Sequence, residues 1–413
     1  MLEAVLRRVR LAAGGGALIA LATLASPSGG AAAPADEDCL ACHEDPELTR
    51  SDGRPLKMAR EAFAESVHGQ IGAACTDCHA DLAAATDFPH AERLARVECG
   101  SCHAEAAEAY AASAHAAARR AGEGLAATCT DCHGTHDIFP KADARSTVSH
   151  FNLQKTCATC HGNPETIQKA GIAVGNVPEL FKDSIHGQAV QAKGLTVAPT
   201  CNDCHSHHAI RRASDEASPV FRRNIPATCG KCHEGILAPY EGSIHGLAVR
   251  KGNPRAAVCS DCHSAHGIKA TGPEWRVAVI RECGTCHSQS IQSYRDGFHG
   301  QVTALGFTRV ATCEDCHGAH DIAPIGDPRS AVHPSRKVAT CGKCHEGANA
   351  RFVQYDPHAE PENPERSAIL YFTNSFMKLL LAGVFSFFGL HTALWLPRSW
   401  QERRRAAARR ETH

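Results

Sequence analysis

Aromatic residues make up only 5% of this chain of 413, and methionine occurs three times. Residues 34–357 hold no long alternating or helical apolar run, so neither a half-buried sheet nor a conventional helical bundle is written there. Much of the 43% apolar fraction is alanine and cysteine. The side-chain core is therefore thin for a length that would suggest two or three domains. An excess of charge of one sign is missing too: 43 Lys and Arg against 44 Asp and Glu leave a formal net charge of -1. No basic stripe interleaved with aromatics is present, which argues against a nucleic-acid partner. Finally, no cysteine is left over once one pattern has been counted.

That pattern is C-x-x-C-H, and it absorbs all 22 cysteines. The pairs are Cys39 and Cys42, Cys75 and Cys78, Cys99 and Cys102, Cys129 and Cys132, Cys157 and Cys160, and Cys201 and Cys204. Then come Cys229 and Cys232, Cys259 and Cys262, Cys283 and Cys286, Cys313 and Cys316, and Cys341 and Cys344. Each second cysteine is followed at once by histidine: His43, His79, His103, His133, His161, His205, His233, His263, His287, His317 and His345. Two thiols three positions apart reach the two vinyl groups of one porphyrin, and the adjacent histidine supplies the proximal nitrogen to iron. A disulfide framework gives no reason for a histidine at a fixed offset. A zinc ribbon could use one such pair, but histidine is 27 of 413 residues, so eleven repeats of the offset are not chance. The expected cofactor is heme c, eleven groups covalently bound. These porphyrins would supply the apolar bulk that the side chains lack, coupling folding to attachment.

The motif spacings repeat. From Cys75 and again from Cys259 the gaps are 24, 30 and 28 residues, so block 75–161 matches block 259–345 as an internal duplication. Between motifs lie lone histidines, usually two residues after serine and before glycine: His68, His115, His186, His245 and His299. Four motifs carry a further histidine three residues past the proximal one: His136, His208, His266 and His320. Helical spacing would place each on the same face as its own proximal histidine, so each should serve a neighbouring iron. These nine are expected distal ligands, and His90, His150, His333 and His358 compete for the two remaining places. His207 reads as a solvated neighbour of His208, and His413 as tail. With Met1 in the leader and Met377 in the anchor, bis-histidine ligation should dominate and keep potentials low.

Both ends read as addresses. Arg7, Arg8 and Arg10, an apolar stretch from Leu11 to Leu24 and small residues to Ala33 make residues 1–33 an expected secretory signal. Residues 34–357 are the expected heme domain and 358–368 a linker. Residues 369–396 form an apolar stretch interrupted mainly by Asn374, Lys378 and His391, long enough to cross a lipid bilayer. The basic tail, 397–413, carries Arg398, Arg403, Arg404, Arg405, Arg409 and Arg410. The positive-inside rule then places the C-terminus in the cytoplasm and the hemes in the periplasm, in a single-pass inner-membrane protein.

In motif order, residues 38–347 resemble periplasmic multiheme c-type cytochromes that act as electron wires, including decaheme proteins built from C-x-x-C-H, S-x-H-G, C-x-x-C-H-x-x-H units. The resemblance implies a mostly irregular, small-α fold of short helices and loops around a heme chain, with little or no sheet. Residues 387–398, ending Trp395-Leu396-Pro397-Arg398, resemble the anchor of multiheme subunits that pair with, or are fused to, a membrane b-type cytochrome. That family passes electrons between the quinone pool and periplasmic acceptors, so the implied partners are a quinone-oxidising b-type subunit and periplasmic c-type cytochromes. His391 is then either a ligand or quinone-side group at that partner's interface, or an interfacial histidine. The function expected is electron carriage without catalytic residues. The alternative is a multiheme reductase of nitrite, hydroxylamine or tetrathionate, which needs one open iron. A polymeric extracellular wire is disfavoured by the anchor.

Overall fold

The computed structural model describes residues 33–410. The expected signal, 1–33, lies outside them but for its last residue, as does His413. Among the described residues there is no strand, only one isolated bridge between Thr49 and Pro55. Short helices and turns make up the heme region, and one long helix closes the chain. This is the fold class that the motif pattern implies.

The chain divides into two units. The first holds residues 33–64 and 68–98, with the motifs at Cys39 and Cys75. Its helix Asp36–His43 buries Leu40, and Arg60 ties Glu37 and Glu44 together at 2.7 Å each. The second unit holds residues 65–67 and 99–410 and the other nine motifs. Its largest cluster of buried apolar residues is only Val249, Ala256 and Val258, with Ile225 and Ala248 against it. Serines are buried as deeply: Ser113, Ser184, Ser218 and Ser243 expose at most 2%.

Those serines explain the helices that carry the lone histidines. Ser113, Ser184 and Ser243 are N-caps whose hydroxyls accept from the backbone N–H three residues on, at 3.0, 3.0 and 3.1 Å. Each satisfies a donor that a helix start leaves orphaned. The histidine sits in the first turn. The following glycine is required by close packing: a Cβ at Gly187 or Gly246 would lie 2.0 or 2.1 Å from a carbonyl oxygen of the preceding helix.

The C-x-x-C-H segments fall in two kinds. Where the third position is aspartate, its carboxylate accepts from the backbone N–H before the first cysteine. Asp131, Asp203, Asp261 and Asp315 do so at 2.7 Å. The helices Cys129–His133, Cys201–His205, Cys259–His263 and Cys313–His317 then stop at the proximal histidine. Gly134, Ser206, Ser264 and Gly318 follow with φ of 84°, 70°, 61° and 83°. This corrects one premise of the sequence reading. His136, His208, His266 and His320 do not continue the motif helix on one face, because a left-handed residue turns the chain away first.

The C-terminal helix Ala368–Arg410 spans 43 residues, and its apolar window is unburied. At about 1.5 Å per residue it is roughly 65 Å long, well beyond the ~30 Å hydrocarbon core of a bilayer. It runs on through Pro397 into the arginine-rich segment, so the residues after Leu396 are helical to Arg410.

Candidate heme-ligand site

Nine motif histidines each face a histidine from outside the motifs. The pairs are His43 with His90, His161 with His115, His133 with His208, His233 with His186, and His205 with His266. The others are His287 with His245, His263 with His320, His345 with His299, and His317 with His358. Their ring centroids lie 5.9–6.2 Å apart. Rings in contact would stack closer. Two imidazoles on opposite sides of one metal, with metal–nitrogen bonds of about 2 Å and a ring centre about 1 Å beyond each nitrogen, give about 6 Å. The spacing fits an iron between each pair, with the two thiols of its motif beside it. Burial holds the rings of His115, His161, His186, His205, His245 and His317 below the usual histidine range. A neutral ring is the form that ligates metal.

Seven of the nine pairs follow a rule. Proximal histidines of the aspartate-type motifs, His133, His205 and His263, face the histidine past the aspartate-type motif two places further on. Those of the other kind, His161, His233, His287 and His345, face a Ser-x-His or Gly-x-His histidine from the segment after the motif two places back. The ring planes differ with the kind. They cross at 28°, 7° and 15° in the first group, and at 62°, 33°, 49° and 49° in the second.

Backbone staples bring the two groups together. The N–H of Ala114 donates to Ile210 O at 2.7 Å, Ile185 to Ile268 O at 2.8 Å, and Ile244 to Ile322 O at 2.8 Å. Each staple joins the residue before a lone histidine to the residue two past a His-x-x-His histidine. The distal candidates of the fourth and fifth motifs thus share one junction, as do those of the sixth and seventh and of the eighth and ninth. Thiols bridge the alternate steps. Cys157 lies against Cys201, Cys229 against Cys259, and Cys283 against Cys313. Consecutive motifs from the fourth to the tenth are therefore neighbours in space, in sequence order.

Of the four competing histidines, His90 and His358 face motif histidines. His150 instead meets Phe151 edge-on at 5.3 Å, with its Nε2 buried and without a hydrogen-bond partner, and His333 bonds Ser335 Oγ at 2.7 Å. Neither His150 nor His333 faces a motif histidine. His207 is exposed and lies edge-on to His208. His68 and His79 lie in the first unit and His103 and His136 in the second.

Sequence reasoning overlooked several supports. Trp275 stacks on His263 with centroids 4.9 Å apart and planes 5° apart. The hydroxyls of Tyr110, Tyr240 and Tyr294 donate to the carbonyls of Ala127, Ala257 and Ala311 at 2.7, 2.7 and 2.9 Å. Each of these carbonyls lies two residues before a motif. Tyrosine five residues before the lone histidine was the available signal. Arg222 binds Asp261 through both Nη atoms, at 3.0 and 2.7 Å, and so fixes the eighth motif.

Residues 67–161 match the cytochrome c3 family model. Over 135 residues, 32% of this chain, the sequence is 28% identical to the multiheme cytochrome MtrC of Shewanella baltica (strain OS185). That stretch is 16% of the relative's length, so the chain spans only a small part of it. No solved structure matches the chain. Residues 67–161 are thus similar to a cytochrome c3-type multiheme domain, a family that implies heme c and suggests electron transfer. The C-terminal helix is long and apolar enough to cross a membrane.

Proposed function

We propose that the chain is a membrane-anchored conduit that moves electrons through eleven c-type hemes, between a quinone-linked inner-membrane partner and periplasmic or outer-membrane acceptors. The observation that carries this reading is the unbroken succession of the fourth to tenth motifs, joined alternately by backbone staples and by contacts between cysteine side chains. Such spacing suits one-electron steps between neighbouring irons. The heme supplies that redox chemistry; the chain supplies attachment, axial ligands and packing.

Each cysteine pair would fix one porphyrin by two thioethers, with the motif histidine beneath it and the facing histidine above. Bis-histidine ligation keeps the iron saturated and its potential below that of a His/Met site. Helix Ala368–Arg410 would hold the domain at the membrane, with its arginine end in the cytoplasm. His391 is exposed on the apolar part of that helix and would face a b-type partner, where an unpartnered histidine in hydrocarbon is costly.

The test is a heme count by pyridine hemochromogen on the purified full-length protein, with electron paramagnetic resonance during a redox titration. Eleven hemes, all low-spin and titrating over a broad low range, are expected. A high-spin iron that binds nitrite or carbon monoxide stoichiometrically overturns the conduit and makes the protein a reductase.

A further inference from the structure

Two of the nine facing pairs fall outside the pairing rule, His43 with His90 and His317 with His358. His317, of the tenth motif, is of the aspartate type, whose partner elsewhere comes from two motifs further on. No later aspartate-type motif exists, and the facing ring is instead His358, centroids 6.2 Å apart with planes 48° apart. His358 lies ten residues before the C-terminal helix begins at Ala368. We infer that His358 is the distal ligand of the tenth heme, and that this ligand ties the heme to the membrane-anchoring helix. The inference rests on the bis-histidine reading above.

Three observations support it besides the ring distance. The Nδ1 atom of His358 lies 3.1 Å from Ser290 O and 3.1 Å from Ser293 Oγ. A carbonyl oxygen only accepts, so Nδ1 is the donor in this contact and Nε2 is the nitrogen left for a metal. That arrangement is the one by which outer partners orient a metal-binding histidine. The backbone carrying the ring is also pinned. The His358 N–H donates to Asp356 Oδ1 at 2.9 Å, and Pro357 O lies 3.3 Å from where a Cβ of Gly297 would be. Gly297 caps the helix Phe298–Ala304, which carries His299, so the linker seats against a second ligand-bearing element.

From His358 onward the segment is clamped to the anchor. Arg366 donates to Asp356 Oδ2 at 3.0 Å and to Glu360 Oε1 at 2.7 Å. Lys378, in the third turn of the helix, pairs with Glu362 at 2.7 Å. Asn374 reaches Pro361 O at 3.4 Å. Surface pairs of this kind are individually weak, but here four contacts span the residues between the ring and the helix. A displacement of the anchor by a membrane partner would act on the iron–nitrogen bond of this heme before any other.

The experiment uses full-length holoprotein in detergent carrying His358→Gly, with His333→Gly as the control, because His333 faces no motif histidine. Retention of all eleven hemes is expected in both. In His358→Gly one heme turns high-spin and binds one carbon monoxide per chain when reduced, and added imidazole reverses both changes. His333→Gly should match the parent. A second variant, His358→Met, guards against a folding defect: it should keep the iron six-coordinate, show a sulfur-to-iron charge-transfer band and raise the potential of one heme. An entirely low-spin, carbon-monoxide-silent His358→Gly protein overturns the inference, as does a Met variant without a new band or potential. Open irons or missing hemes in the parent protein would instead sink the conduit reading itself.

Discussion

Gly246 offers the sharpest test of how the lone histidines are held. It follows His245 in the helix Ile244–Arg250, which packs end-on against Glu234–Gly242. A Cβ added at Gly246 would lie 2.1 Å from Tyr240 O and 2.8 Å from Glu241 Cα, both backbone atoms, whereas ordinary contact begins near 3.4 Å. The helices would have to part by roughly 1 Å, and no rotamer change can avoid it. Overpacking of this kind costs about 1–3 kcal/mol. The fold itself calibrates the low end, since the corresponding place after His115 is held by Ala116, 5% exposed and still bonded to Ser113 Oγ at 3.0 Å. Gly246→Ala should therefore cost about 1 kcal/mol and Gly246→Val about 3 kcal/mol. A 1 Å shift also matters against a 6.2 Å separation of His245 and His287. In the valine variant one heme should become high-spin as its ligand moves out of bonding range. Guanidinium denaturation with an unchanged slope, read beside the ferric spectrum, measures both effects. If valine leaves the midpoint and the spin state as they were, the glycine is not there to permit close approach, and the account of the S-x-H-G pattern is wrong.

Other expectations follow from the same geometry. A Cβ at Gly318 would sit 2.5 Å from Asp321 Oδ1, while Ser206 and Ser264 stand at the matching place where Ala209 and Gly267 replace that aspartate. Gly318→Ser and Asp321→Gly should therefore couple by about 1 kcal/mol in a double-mutant cycle, and additivity within about 0.3 kcal/mol would refute the link. Tyr240→Phe should cost about 1 kcal/mol by removing the bond to Ala257 O. Burial pushes the Tyr240 phenol up to about 12. The protonated ring is thus the favoured folded form, with its stabilisation complete below the ordinary value near 10 and lost as pH rises from about 10 to about 12. Alkaline unfolding curves of the Phe variant should lack that decline. Finally, nearly parallel imidazole planes lift the degeneracy of the iron d orbitals in one direction, while crossed planes oppose each other. Two classes of ferric signal should therefore appear in paramagnetic resonance, the rhombic one from pairs such as His205 with His266, and a single class would contradict the plane angles.

The chain's chemistry was legible because it is local. C-x-x-C-H, Ser-x-His and His-x-x-His each span a few residues, and thin apolar patterning announced that something other than side chains fills the interior. The facing of histidine rings was hidden because it joins residues far apart in sequence, such as His133 and His208. No local feature separates His90 and His358, which face motif histidines, from His150 and His333, which sit in turns leading into later motifs. The helical-face argument failed on one visible residue, the glycine or serine after the proximal histidine. Its meaning is conformational, since the left-handed φ it adopts ends the motif helix there. The tyrosines five residues ahead of lone histidines were equally visible, but a single aromatic carries no pattern until its partner carbonyl is known.

The pairing rule also accounts for which spare histidines are used. If each motif is completed by one two places away, the array behaves as a linear repeat in which neighbouring segments stabilise one another and the ends are incomplete. The first motif has nothing before it from which to take a lone histidine, and the tenth has no aspartate-type motif after it. His90 and His358 face the proximal histidines of those two motifs, at 5.9 and 6.2 Å. His150 and His333 face no motif histidine. His90 and His358 thus stand where the rule supplies no other partner, and His358 lies in the segment that leads into helix Ala368–Arg410.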